Sequence, residues 1–230
     1  MYRIWQKLLA EFFGTFFFVF FSVGAVCVDA SLRSSGTGGL GLIGIALVRG
    51  LTFAILIYAL VNVSGAHLNP AISIGCWVTR KLGSISALFY CVAQILGAIL
   101  AARIVAQFVP EQVWRSVLMG TPDLAASFSR TQGILLEGLL TLFLVFIFFG
   151  AVAEAKDSLA RSGSFVAGLA LFVGVIVGSP YTGASMNPAM ALGTAIVAHH
   201  WNNHGVYWAG PLLGGVIGAW LYHILFARES

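Results

Sequence analysis

Ser64-Gly-Ala-His-Leu-Asn-Pro-Ala71 is answered, 118 residues further on, by Thr182-Gly-Ala-Ser-Met-Asn-Pro-Ala189. Asn is a strong N-cap residue, and Pro is favoured at the first helical position because it lacks the N–H that would be orphaned there. Asn69-Pro70-Ala71 and Asn187-Pro188-Ala189 therefore each read as the start of a helix. The stretches that follow, to residues 80 and 198, are apolar but too short to cross a bilayer core, which takes about 20 residues at 1.5 Å rise each. Short apolar helices of this kind are re-entrant candidates that begin near the membrane midplane.

Composition places the rest of the chain in lipid. Hydrophobic residues make up 59% of the 230 positions and charged residues 9%, against about 45–50% and 25% in a soluble domain. Too few polar side chains remain to cover a soluble globule. Six stretches are long enough to span, roughly 6–28, 40–62, 84–108, 132–153, 164–182 and 205–227. The connections between them are short, the longest running from Val109 to Thr131. The first apolar run carries Glu11 and ends without an Ala-x-Ala site, so it reads as a retained span and not as a signal peptide. Six spans put both termini on one side. Arg3, Lys7, Arg80, Lys81, Lys156, Arg161 and Arg228 fall on that side, and Arg33, Arg103, Arg115 and Arg130 on the other. The bias places the termini in the cytoplasm of a multi-pass protein of the cell membrane. The net charge of +4 is spread thinly, with no basic run to suggest nucleic acid. Cys27, Cys76 and Cys91 lack CxxC or His partners at metal spacing, so no metal or other cofactor is expected.

The chain is written twice. Ala10-Glu-Phe-Phe-Gly-Thr-Phe16 is matched by Leu136-Glu-Gly-Leu-Leu-Thr-Leu142, and Gln94-Ile-Leu-Gly-Ala98 by Pro211-Leu-Leu-Gly-Gly215. Each half, about 1–115 and 130–230 of a single 1–230 domain, holds three spans. An odd number inverts one half against the other, as in an inverted repeat about an axis in the membrane plane. That symmetry brings the two half-helix starts together at mid-membrane. Irregular backbone at this depth must line a wet cavity or be buried in protein. The carbonyls of Gly65, Ala66, His67, Leu68, Gly183, Ala184, Ser185 and Met186 are thus expected along a pore. Two helix N-termini and the Asn69 and Asn187 amides supply donors and positive potential there. Water must turn its oxygen toward them, which breaks a proton wire, and cations are repelled.

These residues resemble the aquaporin, or major intrinsic protein, family, over essentially the whole chain. The resemblance implies an all-α bundle of six transmembrane helices plus two re-entrant half-helices, passing water and small neutral solutes, assembled as a homotetramer with one pore per protomer. Glu11 and Glu137 match the family's buried glutamates that brace the re-entrant loops through backbone N–H groups; a proton relay is the alternative role. One departure stands out. Most members place Arg directly after the second Asn-Pro-Ala, and here that residue is Met190. The resemblance makes the constriction Arg49, Val175, Ala184 and Met190, with Arg49 where aromatic or His residues are usual. An uncompensated Arg in mid-bilayer costs roughly 3 kcal/mol or more, so Arg49 either faces the cavity or snorkels to the headgroups. The cavity-facing reading moves the filter cation from the loop to the second span. Ala191 and Ala195 replace the acidic and basic residues of the glycerol branch, and Tyr207-Trp208 looks like the water branch. The small Val175 and Ala184 point the other way, so ammonia, urea, glycerol and hydrogen peroxide stay beside water as permeants. A secondary transporter is the rival channel-like reading, but ionisable midplane groups beyond Arg49, Glu11 and Glu137 are missing. No Gly-x-Ser-x-Gly, HExxH or paired Asp motif suggests an intramembrane enzyme.

Overall fold

The computed structural model describes residues 2–155 and 157–226; Lys156 and Arg228, counted above on the termini side, lie outside them. The described residues form nine α-helices and no strand. Six are long and apolar enough to cross a membrane: α1 (Ile4–Ser34), α2 (Gly41–Ser64), α4 (Ser84–Phe108), α6 (Arg130–Phe148), α7 (Asp157–Thr182) and α9 (Val206–Phe226). Two are half-length, α3 (Pro70–Val78) and α8 (Pro188–Ala198), and α5 (Glu111–Ser116) is a short helix in the long connection.

Three elements depart from the expected boundaries; one is α7, expected from 164, which begins at Asp157. Helix α1 runs on to Ser34 because Asp29 and Arg33, one turn apart, pair at 2.8 Å, while the same Asp29 carboxylate accepts from the Gly41 N–H at 2.7 Å. A polar end that satisfies itself this way extends a helix past the hydrocarbon. The connection after α4 is not a bare loop either: Trp114 and Met119 are buried under it and fold it into α5 and a turn of 3-10 helix. Helix α6 ends in a π-turn over Phe149–Ala153.

Small residues let the spans cross closely. A side chain on Gly97 would run into the Phe12 carbonyl oxygen of α1, and one on Gly214 into the Gly138 carbonyl oxygen of α6. Helices α2 and α7 cross at Gly50 and Gly168, each of which faces the other's carbonyl oxygen. Gly97 and Gly214 are 117 residues apart, and Gly50 and Gly168 are 118 apart, the same offset as the Asn-Pro-Ala pair. Lipid gives helices no hydrophobic reason to associate, so close packing of such faces carries the contact.

The two re-entrant loops have one shape. Backbone φ is positive at Gly65 (89°), Ala66 (49°) and Leu68 (54°), and again at Gly183 (78°), Ala184 (46°) and Met186 (50°). Glycine takes this left-handed region freely, but each L-residue there costs about 1–2 kcal/mol. Buried carboxylates hold that shape. Glu11 accepts from His67 N–H (3.0 Å), Leu68 N–H (2.8 Å), Ser64 Oγ (2.6 Å) and Gln94 Nε2 (2.7 Å). Glu137 accepts from Ser185 N–H (3.0 Å), Met186 N–H (2.8 Å) and Thr182 Oγ1 (2.7 Å). Tyr90 and Tyr207 then donate to the Ser64 and Thr182 carbonyls, both at 2.9 Å.

Two outcomes follow. Glu137→Gln turns an amide donor toward a loop N–H and removes a charged acceptor, each such hydrogen bond being worth about 1.5–3 kcal/mol; the thermal unfolding midpoint in detergent should fall clearly. Gly214→Leu has no room at the α6–α9 crossing and should abolish the monodisperse peak in size-exclusion chromatography. Gly24→Ala, with open space around the added carbon, should leave that peak unchanged.

Candidate functional site

Helix α3 starts at Asn69, whose Oδ1 accepts from the Ala71 N–H at 2.9 Å; α8 starts at Asn187, whose Oδ1 accepts from the Ala189 and Met190 N–H groups at 3.0 and 3.3 Å. Each is an N-cap with Pro70 or Pro188 at the next position. The two starts meet. Asn69 Nδ2 donates to the Met186 carbonyl at 2.7 Å, and Asn187 Nδ2 donates to the Leu68 carbonyl at 2.9 Å. Each half-helix tip is therefore tied to the loop that leads into the other. A carboxamide carries two N–H bonds, so one remains on each Asn beyond this cross-tie. Pro70, Ala71, Pro188 and Ala189 are buried around the junction.

Of the eight loop carbonyls, Leu68 and Met186 accept from the two Asn amides. Those of Gly183 and Ala184 accept from Arg49. A carbonyl oxygen has two lone pairs, and so keeps one for another donor. Gly65 and His67 border a cavity of about 500 Å³ that opens toward the termini side, where Lys7, Asn62 and Lys81 also line it. The His67 ring lies edge-on to Tyr90, with Nδ1 3.1 Å from Ser73 Oγ.

Arg49, the ninth residue of α2, is 5% exposed. It does not reach into lipid. Its Nη1 donates to the Gly183 and Ala184 carbonyls at 3.3 and 3.4 Å, and its Nη2 to Met190 Sδ at 3.0 Å. Those carbonyl contacts are long and a thioether is a weak acceptor, while Arg49 Nε has no protein partner. The guanidinium thus keeps donor capacity unspent. Val175, Ala184 and Met190, all fully or almost fully buried, belong to one apolar cluster. The structure joins Arg49 directly to Ala184 and Met190, leaving Val175 as an apolar member of the same region.

On the face opposite the termini, the connection before α6 closes over the second loop. Pro122 packs at Gly183, and the Ala125 N–H donates to the Tyr181 carbonyl at 2.8 Å. Asp123 accepts from His200 Nε2 at 2.7 Å and from Asn203 Nδ2 at 3.0 Å. Partial burial pushes the Asp123 carboxyl up, but Asn203, the Leu124 N–H and His200 outweigh it and hold it below the usual carboxylate range.

The motifs leave several residues of this region without a role. Ser64 and Thr182 hand a hydroxyl to the strut carboxylates, Tyr90 and Tyr207 clamp the same two turns, and Gln94 bridges Glu11 to Ser73 at 2.7 and 2.9 Å. Their signal is the repeat itself: 64 to 182 and 90 to 207 are separated by the offsets of 118 and 117 already seen. Gln94 has Pro211 as its counterpart, so no pairing marks it.

The family model described as major intrinsic protein matches residues 1–222. The lens fiber major intrinsic protein of Lithobates pipiens is 36% identical over 228 residues, covering 99% of this chain and 84% of its own. Aquaporin TIP4-4 of Zea mays is 36% identical over 230 residues, with 98% of this chain and 88% of its own covered. The X-ray structure of the aquaglyceroporin from Plasmodium falciparum superposes with a TM-score of 0.81 at 23% identity, covering 97% of both chains, which establishes the shared fold. The chain is a multi-pass membrane protein that belongs to the major intrinsic protein family, a family of channels and not of enzymes.

Proposed function

We propose that the chain is a passive channel for water, admitting other small neutral solutes and excluding protons and ions. The carrying observation is the cross-tied meeting of Asn69 and Asn187, which sets two helix N-termini and two spare amide N–H groups side by side at the inner ends of the two loops. Helix N-termini carry partial positive charge. A water molecule accepting from both amides has its own hydrogens pointed away along the pore, so no chain of like-oriented waters runs through that point. A cation meets only donors and positive potential there. The relatives named aquaporin support the same permeant.

Arg49 supplies the filter charge in place of the residue at Met190. Its guanidinium gives a solute directional donors on one side, while Val175 and Ala184 offer apolar walls that contribute no acceptor side chain. Ala191 and Ala195, both buried and apolar, leave the region behind Met190 without the charges of a glycerol-type wall. In this reading the protein sits in the cell membrane with both termini cytoplasmic, as a homotetramer with one pore per protomer. Protease accessibility of the termini in sealed vesicles, and a cross-linking ladder ending at four subunits, check those two points.

Stopped-flow light scattering on proteoliposomes under water, glycerol and urea gradients tests the permeant. Water flow should exceed that of empty vesicles several-fold, with no added proton or potassium leak. The reading fails if no neutral solute crosses faster than in empty vesicles. Arg49→Leu should raise urea and glycerol flux and open a cation leak, roughly tenfold for each ~1.4 kcal/mol of barrier removed. Unchanged permeability and unchanged selectivity in that variant would remove Arg49 from the filter.

A further inference from the structure

A second opening lies away from the pore, on the face opposite the termini. It is a groove of about 460 Å³ between the ends of α4 and α8, walled by Ile104, Ile196 and Val197 and edged by Arg103, Gln107 and His199. We propose that this groove is a binding site for an anionic phospholipid, with the headgroup phosphate on Arg103 and an acyl chain against the isoleucine and valine wall.

The face of α4 that carries Arg103 is a lipid-facing stripe. Ile85, Phe89, Val92, Leu96 and Leu100 are all exposed at three- or four-residue spacing, and Arg103 and Gln107 continue the same stripe. Helix α4 has 25 residues, about 37 Å at 1.5 Å each, so it overruns a core of about 30 Å by roughly 4 Å at either end. Arg103 stands five residues before Phe108, about 7–8 Å along the axis, which puts its Cα a few ångströms inside the hydrocarbon. A side chain of that length runs outward and places its guanidinium at the phosphate level.

No described residue offers Arg103 a counter-charge. Among the described residues the carboxylates of that face are taken: Asp29 by Arg33, Glu111 by Arg115, and Asp123 by His200 and Asn203. Arg103 belongs to none of these pairs. Exposed His199, held at the α8 end with φ 53°, stands across the groove as a second donor to the same oxygens. Cationic edge, apolar wall and headgroup depth together match a charged lipid, and a soluble anion would use only the first of the three.

Native mass spectrometry of the detergent-purified protein with added phosphatidylglycerol or phosphatidylcholine tests the site. Wild type should retain phosphatidylglycerol in preference to phosphatidylcholine. Arg103→Gln should lower that retention roughly fivefold, in line with about 1 kcal/mol per basic residue at a charged headgroup, and Arg103→Lys should keep the preference. Arg115→Gln, a cation of the same face already paired with Glu111, should change nothing. Water flux in proteoliposomes, measured on Arg103→Gln, reports that the variant is folded and keeps failure here separate from failure of the channel reading. Equal retention of the two lipids by wild type, equal retention by wild type and Arg103→Gln, or displacement of the lipid by excess inorganic phosphate would each overturn the proposal.

Discussion

Backbone polar groups inside a bilayer have no water to turn to, and each one left alone costs several kcal/mol. Two helices that begin at mid-membrane expose their first N–H groups there, together with the loops that lead to them. The rest of this molecule is arranged around answering that demand. Asn69 and Asn187 take up the first N–H groups of their helices, and Glu11 and Glu137 take two loop N–H groups each. A carboxylate suits the task because it is acceptor-only and carries a full charge. Once left-handed Leu68 and Met186 are held against such an acceptor, and Ala66 and Ala184 against the Ser64 and Thr182 hydroxyls, the loops have little freedom left.

Much of this was legible in the residues. The second Asn-Pro-Ala decided the architecture, because one copy is an ordinary turn signal and two copies at a fixed offset are not. The charged Glu11 and Glu137 stood out because lipid makes them expensive. What stayed hidden were the neutral partners. Tyr90, Ser64 and Gln94 look like any polar residues of a span, and only the fold brings Ser64 and Gln94 onto Glu11 and Tyr90 onto the Ser64 carbonyl. The folding of the long connection was hidden too, since Trp114 and Met119 show no periodicity in so short a stretch. In the sequence Met190 marks only the place of a missing arginine; a thioether signals packing there, and its role as an acceptor for Arg49 emerges only in three dimensions.

The repeat is symmetric in its loop-bracing carboxylates and asymmetric at Arg49. Glu11 closes its network wholly within the first half, with Ser64, His67, Leu68 and Gln94, and Glu137 closes its own within the second, with Thr182, Ser185 and Met186. Among the described residues, only the Asn cross-ties and Arg49 bind one half to the other through polar contacts at the centre. Arg49 has no cationic counterpart, for position 167 in the second half is Ala. The duplicated part holds the two loops, and the unduplicated Arg49 ties the second loop to the first half.

Arg49 also bears on how the chain is made. Its acceptors at positions 183, 184 and 190 lie some 134 to 141 residues downstream, so they do not yet exist when α2 leaves the ribosome. The nascent second span must enter the membrane with a bare guanidinium in its middle, carried by the apolar residues around it, at an insertion cost of about 2.5–3.5 kcal/mol. Glu11 of α1, by contrast, finds all its hydrogen-bond partners within the first hundred residues. Synthesis therefore yields a front half whose loop is already strapped to Glu11 while Arg49 of α2 waits, without its acceptors, for the arrival of the back half.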